Sequence, residues 1–180
     1  MPESIRFSTF PRTLPPPSHT MKVRDIFRKH ATKIGTKNLA KGLSSDKVLS
    51  ILRPDLVDIG FLVEAGKTAA DKIRRPVFFG ENGKPKLQYE VDAYNEDWKY
   101  GLEVEAGRAW MGNAIYRDLV QALVMVELET LVLCVPNFYK YKKGVNGVAS
   151  HDYDNTVAVA DTIYGHIRIV MPYRLIVIGY

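Results

Sequence analysis

Three carboxylates on two neighbouring segments could act together: Asp92 in the run 87–94, and Glu103 and Glu105 in the run 100–105. In the first run the odd-numbered positions are apolar, and the even-numbered ones, Asp92 among them, form the other face. In the second, apolar residues alternate with both glutamates. Alternation with a period of two predicts half-buried strands, and it places Glu103 and Glu105 on one face with Cα atoms roughly 7 Å apart. We expect the two strands to pair as an antiparallel hairpin that brings Asp92 to the same patch.

Such a patch suits divalent-metal chemistry. Converging carboxylates repel one another unless a cation gathers them, and oxygen-only ligands favour Mg²⁺, or Mn²⁺ in its place, over zinc. A bound ion polarises a phosphodiester, lowers the pKa of bound water and stabilises the leaving oxygen. The alternative is that the carboxylates form only the wet face of an amphipathic hairpin, which is the ordinary explanation of an isolated Glu-x-Glu pair.

The order of residues around this patch resembles the PD-(D/E)XK nuclease superfamily. Asp92 is followed by Gly101-Leu102-Glu103-Val104-Glu105, then by Arg108, by Arg117-Asp118-Leu119 and by an apolar run. The resemblance spans roughly residues 56 to 141 and is greatest to type II restriction endonucleases of the BamHI and BglII kind, in which glutamate or glutamine replaces the lysine of the motif. It implies an α/β fold with a mixed central β-sheet flanked by helices.

The resemblance also implies roles for individual residues. Asp92 and Glu103 would bind the metal, and Glu105, at the lysine position, would orient or deprotonate the attacking water. The substrate would be double-stranded DNA, cut by a homodimer at a specific sequence. Two alternatives remain open: a repair or phage-associated nuclease of the same fold without sequence specificity, and a non-catalytic DNA-binding protein.

Several further residues are candidates for the site. No proline precedes Asp92, so Asp97 in the following polar stretch competes with it as the first acidic ligand, and Glu64 upstream could add a carboxylate. Arg108 and Arg117 flank the start of a predicted helix and could contact the scissile phosphate. Cations interleaved with tyrosines past the apolar run could hold the DNA backbone, namely Lys140, Lys142 and Lys143.

The elements around the site follow from apolar periodicity. A helix should begin near Asn113 and cover the face that carries Leu102 and Val104. The unbroken run 131–135, closed by Pro136, predicts a central strand buried on both faces. Strand, helix and strand together predict a parallel crossover.

Upstream, residues 1–20 are rich in proline and predict a flexible arm, so that residues 21–180 would form a single nuclease domain. A basic amphipathic helix is predicted over 22–34, ending at Gly35. Ser45 and Asp46 could cap a helix that starts near Lys47, and Pro54 could begin another that runs to about residue 73. Downstream we predict a loop over 144–155 and strands over 163–170 and 174–178.

Composition sets the broad class. The chain has 180 residues, 46% of them hydrophobic and 25% charged, with a formal charge of +5. These values are typical of a globular domain that attracts polyanions. The single cysteine, Cys134, lies in an apolar run and excludes an intramolecular disulfide. No apolar stretch approaches the roughly 18 residues that a membrane span requires, and we expect a cytoplasmic protein without membrane association.

Overall fold

The chain folds around a mixed β-sheet. The computed structural model describes residues 5–37, 39–107, 109–110, 112–141 and 149–180. The helices of this part are α1 Thr20–Ile34, α2 Ser45–Asp58, α3 Ala114–Val124 and α4 Asp152–Gly165. The strands are β1 Arg6–Phe10, β2 Leu62–Val63, β3 Ile73–Phe79, β4 Pro85–Val91, β5 Ala93–Asn95, β6 Tyr100–Val104, β7 Thr130–Val135, β8 Tyr139–Lys140, β9 Ala149–Ser150 and β10 Arg174–Gly179.

Six of these strands form the central sheet, in the order β1-β10-β7-β6-β5-β2. The neighbours of β7, namely β6 and β10, run parallel to it, and the outer pairings are antiparallel. Two smaller pairs, β3 with β4 and β8 with β9, lie outside this sheet. The predicted α/β class, with a mixed central sheet flanked by helices, is confirmed.

Helices cover both faces of the sheet because β7 is apolar on both. Val132 and Cys134 pack in one cluster with residues of α1 and α2, whereas Leu131 and Leu133 pack in a second cluster with residues of α3 and α4. All six residues of β7 are buried, as the unbroken apolar run predicts. The predicted burial of Cys134 is confirmed.

The unit β6-α3-β7 is the parallel crossover that the sequence predicts. The prediction that α3 covers the face with Leu102 and Val104 is wrong, because α1 and α2 pack on that face. Instead α3 packs on the opposite face of the sheet, against Leu131 and Leu133. Since side chains alternate along a strand, α3 lies on the side to which Glu103 belongs.

The predicted flexible arm is partly ordered as a strand. Residues Arg6–Phe10 form β1, which pairs antiparallel with β10 at the edge of the sheet, and Phe10 is fully buried. The prolines that suggested an extended arm, from Pro11 onward, follow this strand. The open edge of β10 supplies hydrogen-bond partners that lie far away in the sequence, so composition alone did not reveal them.

Upstream of the site, α1 agrees with its prediction, and α2 differs. Helix α2 is capped by Ser44, whose hydroxyl accepts a hydrogen bond from the Lys47 backbone N–H, and it continues through Pro54 to Asp58. The predicted second helix running to residue 73 is wrong. Proline removes one intrahelical hydrogen bond, but the burial of α2 leucines on both sides of Pro54 stabilises the continuous helix.

The C-terminal third also differs from its prediction in two places. The predicted loop 144–155 lies partly outside the described residues, and its end from Asp152 is the first turn of α4. The predicted strand over 163–170 is wrong, because α4 continues to Gly165 on an inward stripe at helical spacing, Tyr153, Thr156 and Ala160. The last predicted strand is confirmed as β10. No helix in the described ranges combines the length and apolar character needed to cross a bilayer.

Candidate functional site

A polar cleft of about 490 Å³ opens where β4, β6 and α3 meet. Six acidic and two basic side chains line it: Asp46, Glu64, Glu90, Asp92, Glu103, Asp118, Lys72 and Arg117. Two of the three predicted catalytic carboxylates, Asp92 and Glu103, therefore share one cleft.

Asp92 lies at the bend between β4 and β5. The short pairing of β5 with β6 brings it beside β6, and the Val104 backbone N–H donates to its Oδ2 at 2.7 Å. Burial raises the pKa of Asp92 to about 7, against the opposing effect of this hydrogen bond, and the charges of Glu64 and Asp118 raise it further. A nearby cation would strongly stabilise the ionised form of a carboxyl group buried in this way.

Glu103 lies in the middle of the cluster, on a strand that is buried along its whole length. Only 8% of the residue is exposed. Burial raises the pKa of Glu103 well above its ordinary value, and the charges of Asp92, Asp118 and Glu105 add to this effect, while Arg117 lowers it. The desolvation and the repulsion both act against the ionised form.

Asp118 was not among the predicted site residues. It is 2% exposed and accepts hydrogen bonds from its neighbour Arg117 at 2.8 and 3.0 Å. Its sequence position carries a signal, because it shares the inward face of α3 with Ile115 and Leu119. A carboxylate on the apolar face of an amphipathic helix is unusual and marks a functional position.

Glu105 follows the end of β6 and does not line the cleft. Instead it lines a neighbouring depression of about 340 Å³ together with Gly107 and Tyr139. Its Oε1 accepts a hydrogen bond from Arg117 Nη2 at 2.8 Å, so the guanidinium links it to Asp118. Burial, together with the charge of Asp118 and a hydrogen bond to it, raises the pKa of Glu105 to about 8.

Glu64 and Lys72 form an ion pair on the far side of the cleft, with Nζ and Oε1 2.7 Å apart. The predicted helix around Glu64 is wrong, because this residue follows β2. Its backbone N–H donates a hydrogen bond to the Asp92 carbonyl at 2.8 Å. Lys72 was missed because it is distant in sequence from the other site residues. Asp97, the rival of Asp92, is exposed in the turn between β5 and β6 and does not line the cleft.

The predicted phosphate-binding residues have different surroundings. Arg117 borders the cleft with 59% of its side chain exposed. Lys140 Nζ donates to the backbone carbonyls of Lys37 and Leu39, at 2.8 and 3.1 Å, so it stabilises the segment between α1 and α2. Arg108, Lys142 and Lys143 lie outside the described residues.

The donor set fits a divalent cation bound by few protein ligands. Among the described residues no group of three or more His, Cys, Asp or Glu side chains has the spacing of a complete metal site. Mg²⁺ is usually held by one or two carboxylates together with water and phosphate oxygens. Asp92 and Glu103, desolvated and mutually repelling, suit this mode because a cation would relieve both effects.

No protein-family model, no curated protein and no solved structure matches this chain. The fold and the cleft define an α/β protein with a carboxylate-rich cleft beside its β6-α3-β7 crossover.

Proposed function

We propose that this protein is a Mg²⁺-dependent endonuclease that hydrolyses phosphodiester bonds in double-stranded DNA, as a restriction endonuclease does. The observation that carries the proposal is the pairing of Asp92 and Glu103. Both carboxyl groups are desolvated, the charge of Asp92 raises the pKa of Glu103, and both groups open into one polar cleft. The order of Asp92, Glu103 and Glu105 in the sequence, which resembles that of PD-(D/E)XK nucleases, also supports the proposal.

In this mechanism Asp92 and Glu103 would hold Mg²⁺, or Mn²⁺ in its place. The bound ion would supply an activated water and polarise the phosphate. Arg117, at the rim of the cleft, would pair with a phosphate oxygen of the substrate. Glu105, at the lysine position of the motif, lines the neighbouring depression, and it would orient the attacking water through Arg117, whose guanidinium it shares with Asp118.

The decisive experiment compares plasmid cleavage in Mg²⁺ by the unaltered protein, by Glu103→Gln and by Glu129→Gln. Glu129 is an exposed residue immediately before β7 and serves as the matched control. We expect nicked and linear products from the unaltered protein and from the control, and at least a hundredfold slower cleavage by Glu103→Gln. Circular dichroism would check that all three fold alike.

Equal cleavage by Glu103→Gln and the unaltered protein would contradict the proposal. Tight DNA binding in EDTA without any cleavage in Mg²⁺ would assign the chain to non-catalytic DNA-binding proteins instead. Discrete fragments from a linear duplex would indicate sequence-specific cutting, whereas a smear would indicate a nuclease without sequence specificity.

The proposal includes a homodimer that acts in the cytoplasm. The twofold symmetry of a palindromic site matches that of a homodimer, whose two active sites would each cut one strand. Sedimentation of the protein with a duplex that contains its site should show two protomers per duplex. One protomer per duplex at saturation would contradict the dimeric form alone.

A further inference from the structure

The β3–β4 ribbon, residues 73–91, is a two-stranded hairpin outside the central sheet whose base borders the carboxylate cleft. Its second strand leads directly to Asp92, and Gln88 and Glu90 of that strand line the cleft. Lys72, immediately before β3, lines the cleft from the other strand. A ligand that runs along the ribbon to its base therefore reaches the proposed metal ligands.

The base of the ribbon is firmly attached to the rest of the fold. The guanidinium of Arg75 lies 3.8 Å from the centre of the Tyr94 ring and pairs with Glu96 at 2.5 Å. The Pro76 carbonyl accepts a hydrogen bond from the Val126 backbone N–H at 2.9 Å. A ligand bound to the ribbon is thus positioned relative to the cleft by a fixed support.

The outer part of the ribbon carries two lysines and two exposed aromatic side chains. Residues 78–87 contain Lys84 and Lys86 against one acidic residue, Glu81. Lys84 and Lys86 have no ion-pair partner among the described residues. Phe78 and Phe79 are 46% and 51% exposed, so two adjacent aromatic rings lie at the surface of the ribbon.

One face of β4 runs from Lys86 to residues that line the cleft. Alternation along β4 puts Lys86 on the same face as Gln88 and Glu90, which line the cleft. Arg74 is opposite Glu90 in the strand register, and their side chains pair at 3.5 Å. The face is therefore continuous from the exposed cations to the carboxylates.

We propose that the β3–β4 ribbon is the element that docks duplex DNA, a proposal that rests on the proposed function for its ligand. Lys84 and Lys86 contact backbone phosphates, and Phe78 and Phe79 contact the apolar edges of sugars and bases. Two paired strands are about 5 Å apart, so the ribbon fits the major groove, which is about 12 Å wide. Phosphates flanking that groove then lie over the cleft.

The basic helix α1 is the rival surface. Several of its cations are already paired: Lys29 with Asp55 at 2.6 Å, and Arg24 with Asp25 at 2.6 Å. It also packs on the face of the sheet opposite to α3, whereas the cleft is lined by residues of α3. The position of the ribbon beside the cleft favours it over α1.

The experiment measures binding of a fluorescent 20-base-pair duplex in EDTA by anisotropy at several salt concentrations. Lys84→Ala/Lys86→Ala should bind about tenfold more weakly, and its plot of log affinity against log salt should be shallower by about 2. The matched control on α1, Arg28→Ala/Lys33→Ala, should change affinity by less than twofold. Phe79→Ser should weaken binding without changing the slope, because an apolar contact releases no counterions.

Unchanged affinity of Lys84→Ala/Lys86→Ala, or a loss confined to the α1 variant, would overturn the assignment. A second result would also overturn it: the unaltered protein sediments as a dimer, whereas Phe79→Ser sediments as a monomer and binds DNA with unchanged affinity. The aromatic side chains would then contact a second copy of the chain rather than DNA. All the altered residues are exposed, so the variants should fold. Binding is measured without metal, so its result does not depend on cleavage. If the ribbon variant binds DNA more weakly but the unaltered protein never cleaves, the proposed hydrolysis is refuted and the docking surface is supported.

Discussion

Arg117 is the residue that connects the carboxylate cleft with the neighbouring depression. Its guanidinium donates to Asp118, which lines the cleft, and to Glu105, which lines the neighbouring depression. It is the nearby cation that lowers the pKa values of Glu103, Glu105 and Asp118, against the burial that raises them. Loss of this side chain would therefore affect both surfaces at once.

Asp152, at the start of α4, is a buried acid outside the site. It is fully buried, the Ser150 hydroxyl donates to its Oδ1, and its Oδ2 has no hydrogen-bond partner among the described residues. Burial raises the pKa of Asp152 to about 6, above its unfolded value of about 4. The folded state therefore holds a proton that the unfolded state releases, and stability falls as the pH rises from about 4 to about 6.

Asp152→Asn should remove this pH dependence. Between pH 4 and pH 7 the unaltered protein should lose up to about 3 kcal/mol of unfolding free energy that Asp152→Asn keeps. Urea titrations at several pH values measure it, and any pH-independent effect of the amide cancels in the comparison. A constant difference across this range would contradict the prediction.

Asp161 provides a control of opposite sign. Arg12 donates two hydrogen bonds to this exposed carboxylate and lowers its pKa. Its contribution to stability is present above its unfolded pKa, near 4, and is lost as the pH falls through the lower folded value. Asp161→Asn should therefore lose stability relative to the unaltered protein only above about pH 4.

The site residues differ in how far the sequence reveals them. Alternation and motif order were enough to locate Asp92 and Glu103, because a short hairpin fixes which residues face each other. Asp118 was detectable as a carboxylate on an apolar helix face. Lys72 was not, because only the tertiary path of the chain between β2 and β3 brings it to the cleft.

At the scale of elements, β1 covers the edge of β10 and contributes Phe10 to the core. Phe10→Ala should lower the free energy of unfolding by about 3–5 kcal/mol, the usual effect of emptying a buried phenylalanine site. The matched control is Leu14→Ala, four residues further on, where 48% of the residue is exposed and the effect should stay within about 0.5 kcal/mol. Chemical denaturation measures both variants, and two equally stable variants would contradict the role of β1.

Helices and strands could be predicted where the apolar periodicity of the local sequence determines them. They could not be predicted where packing or pairing with distant segments determines the outcome. The crossover β6-α3-β7 follows from an amphipathic helix between two apolar strands. The face that α3 covers does not, because it depends on where α1 and α2 pack. The ribbon shows the same limit, since half of the predicted strand 87–94 pairs with β3 rather than with β6.

At the scale of the whole molecule, burial of the carboxylate cluster makes the stability of the fold depend on pH. Burial raises the pKa of Asp92 to about 7 and that of Glu105 to about 8. Both folded values lie above the unfolded values near 4. Without a divalent cation the folded state therefore binds more protons than the unfolded state, and its stability should fall as the pH rises from about 5 to about 8.

Mg²⁺ should reverse part of this loss, because it binds the ionised carboxylates and competes with protons. Thermal unfolding followed by fluorescence, with and without millimolar Mg²⁺, should show a larger increase in Tm at pH 8 than at pH 5. A gain of 1 kcal/mol corresponds to about 2–4 °C for a chain of this size. In Glu103→Gln the increase at pH 8 should be lost, whereas in Glu129→Gln it should persist. An Mg²⁺ effect of equal size at both pH values would mean that the cation binds elsewhere than at the paired carboxylates, since binding at that pair requires its ionisation and must therefore depend on pH in this range.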